Sequence, residues 1–92
     1  IPGSFLLYQN YPNPFNPSTT IRFELNKSEK VVLRVFNSLG EQVGILVNRV
    51  LGAGVHEVIF NSNKYSSLGS GIYYYQIIAG ENTQTKGMIL VK

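Results

Sequence analysis

The chain has 92 residues, 43% of them hydrophobic and 14% charged, a balance that excludes disorder and a length that allows a single compact core. It has no cysteine, which excludes a disulfide framework and a thiolate metal site, and no apolar run approaches the roughly 20 residues of a membrane-crossing helix. The net charge of +3 comes from eight Lys and Arg residues scattered from Arg22 to Lys92 rather than gathered into a phosphate-tracking stripe, so nucleic acid is not an expected partner.

The chain opens at Ile1 with neither an initiator Met nor a charged-then-apolar leader, as expected of a module from a longer protein, with residues 1 to 92 as one domain. Phe5 to Gln9 is a candidate edge strand. A proline-rich entry segment follows at residues 10 to 18. Pro12, Pro14 and Pro17 each fix their own φ and push Tyr11, Asn13 and Asn16 out of the helical region, so the backbone is held extended or turned without a ladder. Flexible linkers favour Gly and Ser, whereas Tyr11 and Phe15 are large apolar groups that call for packing against a folded body.

From Thr20 to Leu25 polar and apolar residues alternate, which predicts a strand with Ile21, Phe23 and Leu25 facing inward. Asn26 to Lys30 reads as a polar turn. Val31 to Phe36 is a β-branched and aromatic strand with Leu33 and Val35 on one face. Asn37 to Gly40 reads as a turn and Gln42 to Val47 as the next strand, the two strands pairing as a hairpin. Gly52-Ala53-Gly54 breaks the chain before the strand Val55 to Phe60. Residues 61 to 71 form a long polar connection whose Leu68 is expected to plug into the core. Ile72 to Ala79, the turn Gly80-Glu81-Asn82 and a last strand over about Thr83 to Val91 make a terminal hairpin. Seven short strands with no sustained helical period predict an all-β, immunoglobulin-like antiparallel β-sandwich without the cysteine pair and core Trp of antibody domains.

Few residues carry chemistry. There is no Asp, and the five Glu residues are dispersed, so a hydrolytic carboxylate pair and a loop calcium site at Asn61 or Asn63 are both disfavoured. The single histidine, His56, shares a strand face with Val58 and Phe60 and reads as a half-buried residue near a sheet edge. Tyr73 and Tyr75 lie on one face of their strand, about 7 Å apart, and form either a glycan platform or, as the favoured reading, core packing. No enzyme activity, metal or cofactor is expected. Lys86 and Lys92 flank an apolar, β-prone run, as charged residues do where they discourage edge-to-edge aggregation.

Four blocks in order carry a family resemblance. They are Tyr11-Pro12-Asn13-Pro14-Phe15-Asn16-Pro17-Ser18-Thr19-Thr20-Ile21, Val35-Phe36-Asn37-Ser38-Leu39-Gly40-Glu41-Gln42-Val43, Leu68-Gly69-Ser70-Gly71-Ile72-Tyr73, and Thr85-Lys86-Gly87-Met88-Ile89-Leu90-Val91-Lys92. With these the chain resembles the type A C-terminal sorting domains of the type IX secretion system of Bacteroidota, which are related to an immunoglobulin-like domain of the flagellar hook-capping protein. The resemblance implies a non-catalytic secretion signal behind N-terminal cargo domains. The cargo would pass through the periplasm and be read by the outer-membrane translocon. A sortase-like peptidase would remove the label, before or near Ile1 to Phe5, and exchange it for a surface lipid anchor. It also implies matching positions at Pro12, Asn13, Pro14, Ile21, Gly40, Gly71 and Tyr73, and sorting-signal candidates at Lys86, Gly87, Met88, Ile89, Leu90, Val91 and Lys92. Asn37 and Gly87 depart from the family, which often has Asp and a second basic residue there. Met88 to Val91 is the natural place for strand addition by a reader. The alternative is an accessory or spacer module of a secreted enzyme that binds carbohydrate.

Overall fold

The computed structural model describes residues 5–65 and 68–92; the expected cleavage region before or near residues 1 to 5 falls outside them except for Phe5. Seven strands are described: β1 (Phe5–Leu7), β2 (Ser18–Leu25), β3 (Glu29–Phe36), β4 (Gln42–Leu51), β5 (Gly54–Asn61), β6 (Gly71–Ala79) and β7 (Asn82–Leu90). They form two sheets, ordered β1-β2-β5 and β4-β3-β6-β7, and every strand pairing is antiparallel. This is the expected immunoglobulin-like sandwich, with the fourth strand joined to the sheet of the third, sixth and seventh.

Alternation builds the core. Ile21, Phe23 and Leu25 of β2 and Leu33 and Val35 of β3 are at most 2% exposed, so both strands bury the face that their patterns predict. The polar turn before β3 is shorter than expected, because Glu29 and Lys30 already pair with Leu51 and Val50. β4 also runs four residues beyond its expected end. Asn48, Arg49 and Val50 are all exposed, so the extension carries no buried face to mark it, while register shifts opposite Leu33/Arg34 and Val35/Phe36 leave Leu46 and Val43 without a cross-strand partner. Gly44 stands where a Cβ would come within 2.7 Å of the Tyr65 ring, a close approach that only glycine allows.

The chain changes sheet at two short turns and one longer connection. Between β4 and β5 only Gly52 and Ala53 intervene, and Gly54 takes φ +123°, a conformation that side chains resist. Between β5 and β6 a single 3₁₀ turn, Ser62–Lys64, is capped by Asn61, whose Oδ1 accepts from the Asn63 N–H at 2.9 Å. Leu68 then packs half-buried against the core, as expected.

Candidate functional site

The terminal strand β7 is the edge of the four-stranded sheet, paired only with β6 among named strands. Its side chains divide between two faces. Met88 and Leu90 point inward and are 1% and 0% exposed, while Ile89 and Val91 point outward and are about half-exposed. Lys86 is half-buried on the face it shares with Met88 and Leu90, while Gly87 and Lys92 are exposed, so the seven sorting-signal candidates comprise two core residues, a lysine beside the core and an exposed remainder.

The outer backbone edge of β7 is not free where the sequence suggests. Phe15 lies parallel to Leu90, donating its N–H to the Ile89 carbonyl at 2.9 Å and accepting from the Val91 N–H at 3.0 Å. Asn13 Oδ1 accepts from the Ile89 N–H at 2.9 Å, and Gln9 Nε2 donates to the Gly87 carbonyl at 2.7 Å. The entry segment is therefore a strap along the end of β7, and the expectation of free backbone groups over Met88 to Val91 is corrected. In an antiparallel pair alternate residues turn both polar groups outward, which leaves the outward edge open at Thr83 and Thr85 and at the Gly87 N–H. The strap is anchored by Phe15, 2% exposed and edge-to-face with Phe60 at 5.9 Å. Its other aromatic behaves differently. Tyr11 is 81% exposed although it was expected to pack, because its backbone, bonded both ways to Thr20, fixes the strap without the ring.

A buried polar node holds the strap at its root. The Tyr75 hydroxyl donates to the Tyr8 carbonyl and accepts from the Asn10 N–H, both at 2.8 Å, while Asn10 Nδ2 donates to Thr19 Oγ1 at 2.9 Å. Thr19 in turn donates to the Pro12 carbonyl at 2.8 Å. Burial raises the Tyr75 phenol to about 12, opposed by the Asn10 hydrogen bond. Pattern reading missed this node, since nothing in the spacing of Asn10, Thr19 and Tyr75 announces that a strand and a strap will meet there.

The remaining family positions are conformational. Tyr73 donates its hydroxyl to the Gly69 carbonyl four residues upstream at 2.8 Å, the tyrosine corner of immunoglobulin-like sandwiches. Gly40 sits at φ +84° in the β3–β4 turn, where Asn37 Oδ1 accepts from the N–H groups of Leu39 and Glu41. Asn37 Nδ2 donates to Glu41 Oε1 at 2.8 Å, a contact that an Asp could not make. Gly71 has φ +149° at the start of β6. Gly71→Ala is expected to cost about 1–3 kcal/mol, because the backbone there is strained for any side chain even though the space is empty; a urea melt indistinguishable from the parent would contradict this.

Tyr73 and Tyr75 cannot serve as a glycan platform, because both rings face the core at 6% and 0% exposure. The outward ring of the triplet is Tyr74. His56 is half-buried on edge strand β5, stacked on Phe23 at 5.4 Å with Nε2 2.8 Å from the Gly52 carbonyl, as a structural residue would be. A cleft of about 440 Å³ on the other sheet is lined by Tyr8, Gln9, Tyr11, Thr20, Arg22 and Glu57. There the Arg22 guanidinium lies over the Tyr8 ring at 5.1 Å. Among the described residues no group of three or more His, Cys, Asp or Glu side chains gathers to hold a metal.

A seven-strand antiparallel sandwich with its last strand at a sheet edge, and with its own entry segment bound along that edge, belongs to the class of immunoglobulin-like β-sandwich domains. The model of the secretion system C-terminal sorting domain matches residues 9–92, and the chain belongs to that family. It is a sorting domain of type IX secretion, with a role in protein transport to the cell surface or beyond. No curated protein matches the chain.

Proposed function

We propose that the chain is the non-catalytic export label of a longer cargo polypeptide, and that the residues Lys86 to Lys92 are the part read by the outer-membrane translocon. The observation that carries this reading is the placement of the terminal block on an edge strand with half its side chains outside the core. On this reading the cargo reaches the periplasm first. A sortase-like peptidase of the same system then removes the label and exchanges it for a surface lipid anchor. A displayed outer face offers a reader side-chain handles, whereas a catalytic role would need convergent acid, base or nucleophile groups.

The test is a fusion of residues 1 to 92 behind a signal peptide and reporter, expressed in a type IX-competent bacterium and in a strain lacking the translocon. The reporter is expected at the surface or in the medium only in the first strain, with the label cleaved away. Periplasmic reporter in both strains would return the chain to the accessory or spacer reading, and surface reporter with the domain still attached would refute removal. Deleting residues 86 to 92 also removes the core residues Met88 and Leu90. The sharper variant is therefore Lys86→Gln with Lys92→Gln, which leaves the core intact and is expected to lower export.

A further inference from the structure

We propose that the outer face of the four-stranded sheet, at the end where β7 finishes, docks a folded partner that presents an apolar surface edged by carboxylates. This rests on the sorting reading above and names the surface and the chemistry through which the label is read. Ile72 stands directly opposite Ile89, and Tyr74 stands between Phe36 on β3 and Gly87 on β7. Opposed residues in an antiparallel sheet have Cβ atoms about 5 Å apart, so these side chains form one patch, which Val91 continues along its own strand. Ile72, Ile89 and Val91 are 50%, 41% and 48% exposed and Tyr74 is 39% exposed, an unusual concentration of large apolar groups on one end of one sheet.

Gly87 shapes the floor of the patch. A Cβ there would sit 3.6 Å from the Tyr74 ring, so the ring lies across the glycine and presents a flat surface where the family often places a basic side chain. The rim is positive. Arg34 on β3 shares this outer face beside the patch and Lys92 follows Val91 at its end, whereas Lys30 stands at the far end of β3; no carboxylate occurs among the outward positions of the four described strands, and Glu41 lies in the β3–β4 turn, where it accepts from Asn37 Nδ2. Arg34 donates from Nη2 to Gln76 Oε1 at 2.7 Å beside the patch, while its Nε is buried without a hydrogen-bond partner. An acidic rim on the partner complements this charge and steers its approach.

The strap makes the face, rather than the edge, the available handle. Backbone groups of Ile89 and Val91 are already bonded to Asn13 and Phe15, so a strand adding at the end of β7 would have to displace a buried phenylalanine. Side chains on the outer face need no such displacement. The patch also joins two blocks that are distant in sequence, the terminal block through Ile89 and Val91 and the Gly71-Ile72-Tyr73 block through Ile72.

The experiment uses the reporter fusion described above, with thermal midpoints confirming that each purified variant is folded. Ile72→Glu is expected to lower export about tenfold or more, as loss of an interface anchor does, and Ile72→Lys is expected to lower it less. Ile59→Glu, on the outer face of the other sheet, should leave export unchanged. Thr85→Pro removes an outward N–H of β7, together with the Thr85 hydroxyl that accepts from Gln76 Nε2, and should also leave it unchanged. Parental export of Ile72→Glu overturns the proposal, as does an equal loss in Ile59→Glu. A loss confined to Thr85→Pro transfers recognition to the edge and overturns it too, and Ile72→Lys failing worse than Ile72→Glu overturns the acidic rim. If the unmutated fusion is not exported, it is the sorting reading that fails.

Discussion

Phe15→Ala is expected to destabilise the domain by about 3–5 kcal/mol, the usual cost of emptying a phenylalanine site in a packed core. A domain of this length has on the order of 5–14 kcal/mol in total, so the variant keeps at best a modest margin and melts far below the parent. The ring is 2% exposed and meets Phe60 edge-to-face, while its backbone carries two of the hydrogen bonds that cover the end of β7. Losing the anchor therefore loosens the strap as well as the core. Amide exchange separates the two effects. In Phe15→Ala the Ile89 and Val91 amides should both exchange faster, whereas in Asn13→Ala only Ile89 should, since Val91 is held by the Phe15 carbonyl. Uniform acceleration of both amides in Asn13→Ala would show that the strap acts as one cooperative unit and not through separate bonds.

The family's opening and closing blocks become one physical object in this arrangement. Asn13 and Phe15 belong to the first block, Ile89 and Val91 to the last, and they bond directly across 76 positions in the case of Asn13 and Ile89. Pro12, Pro14 and Pro17 suit a strap because they lack N–H groups that would otherwise seek partners, and their fixed φ limits the ways in which the segment can leave. An unprotected strand end rich in Met, Ile, Leu and Val is an aggregation hazard, and the strap covers the backbone edge at that end.

Strands with one buried face are legible in the sequence because alternation is itself the record of burial. Ile21, Phe23 and Leu25 stand in the pattern as they stand in the core, and the terminal hairpin announces itself through Gly80, which has φ +61° at the first position of a two-residue turn. β4 is legible as far as Val47 and not beyond, because Asn48, Arg49 and Val50 are all exposed and leave no alternation of burial to read. The site is harder still. Apolar residues 88 to 91 read as a strand, but no local pattern tells that Asn13 and Phe15 lie against it, because the contact depends on how two sheets close. Tyr11 shows the same limit from the other side: an aromatic ring between prolines argues for packing, yet its backbone alone makes the contact and the ring stays in water. The Tyr73-Tyr74-Tyr75 triplet leaves open which ring faces out until the pairing of β6 with β3 and β7 sets the register.

Tyr75→Phe should be the most damaging substitution that removes a single atom. The ring is wholly buried, and its hydroxyl serves two backbone groups at once, the Tyr8 carbonyl and the Asn10 N–H. Each group left unsatisfied in the interior costs about 1–3 kcal/mol, so a total of about 2–6 kcal/mol is expected, with a fall in melting temperature of at least about 10 °C. The pH dependence has a definite sign. Burial raises the phenol to about 12 in the folded state against 10.0 for a free tyrosine, so the folded form favours the neutral hydroxyl. Its stabilisation is fully present below pH 10.0 and is lost as pH rises from there through about 12. In the parent, one tyrosine should ionise late, near the alkaline unfolding transition, and that step should vanish from the phenolate absorbance of Tyr75→Phe. The variant's stability should also fall less steeply than the parent's over the same interval, because the group whose ionisation opposes folding is gone. Equal slopes for the two proteins would mean that alkaline unfolding is governed elsewhere, and that the root of the strap is not the point at which base opens the sandwich.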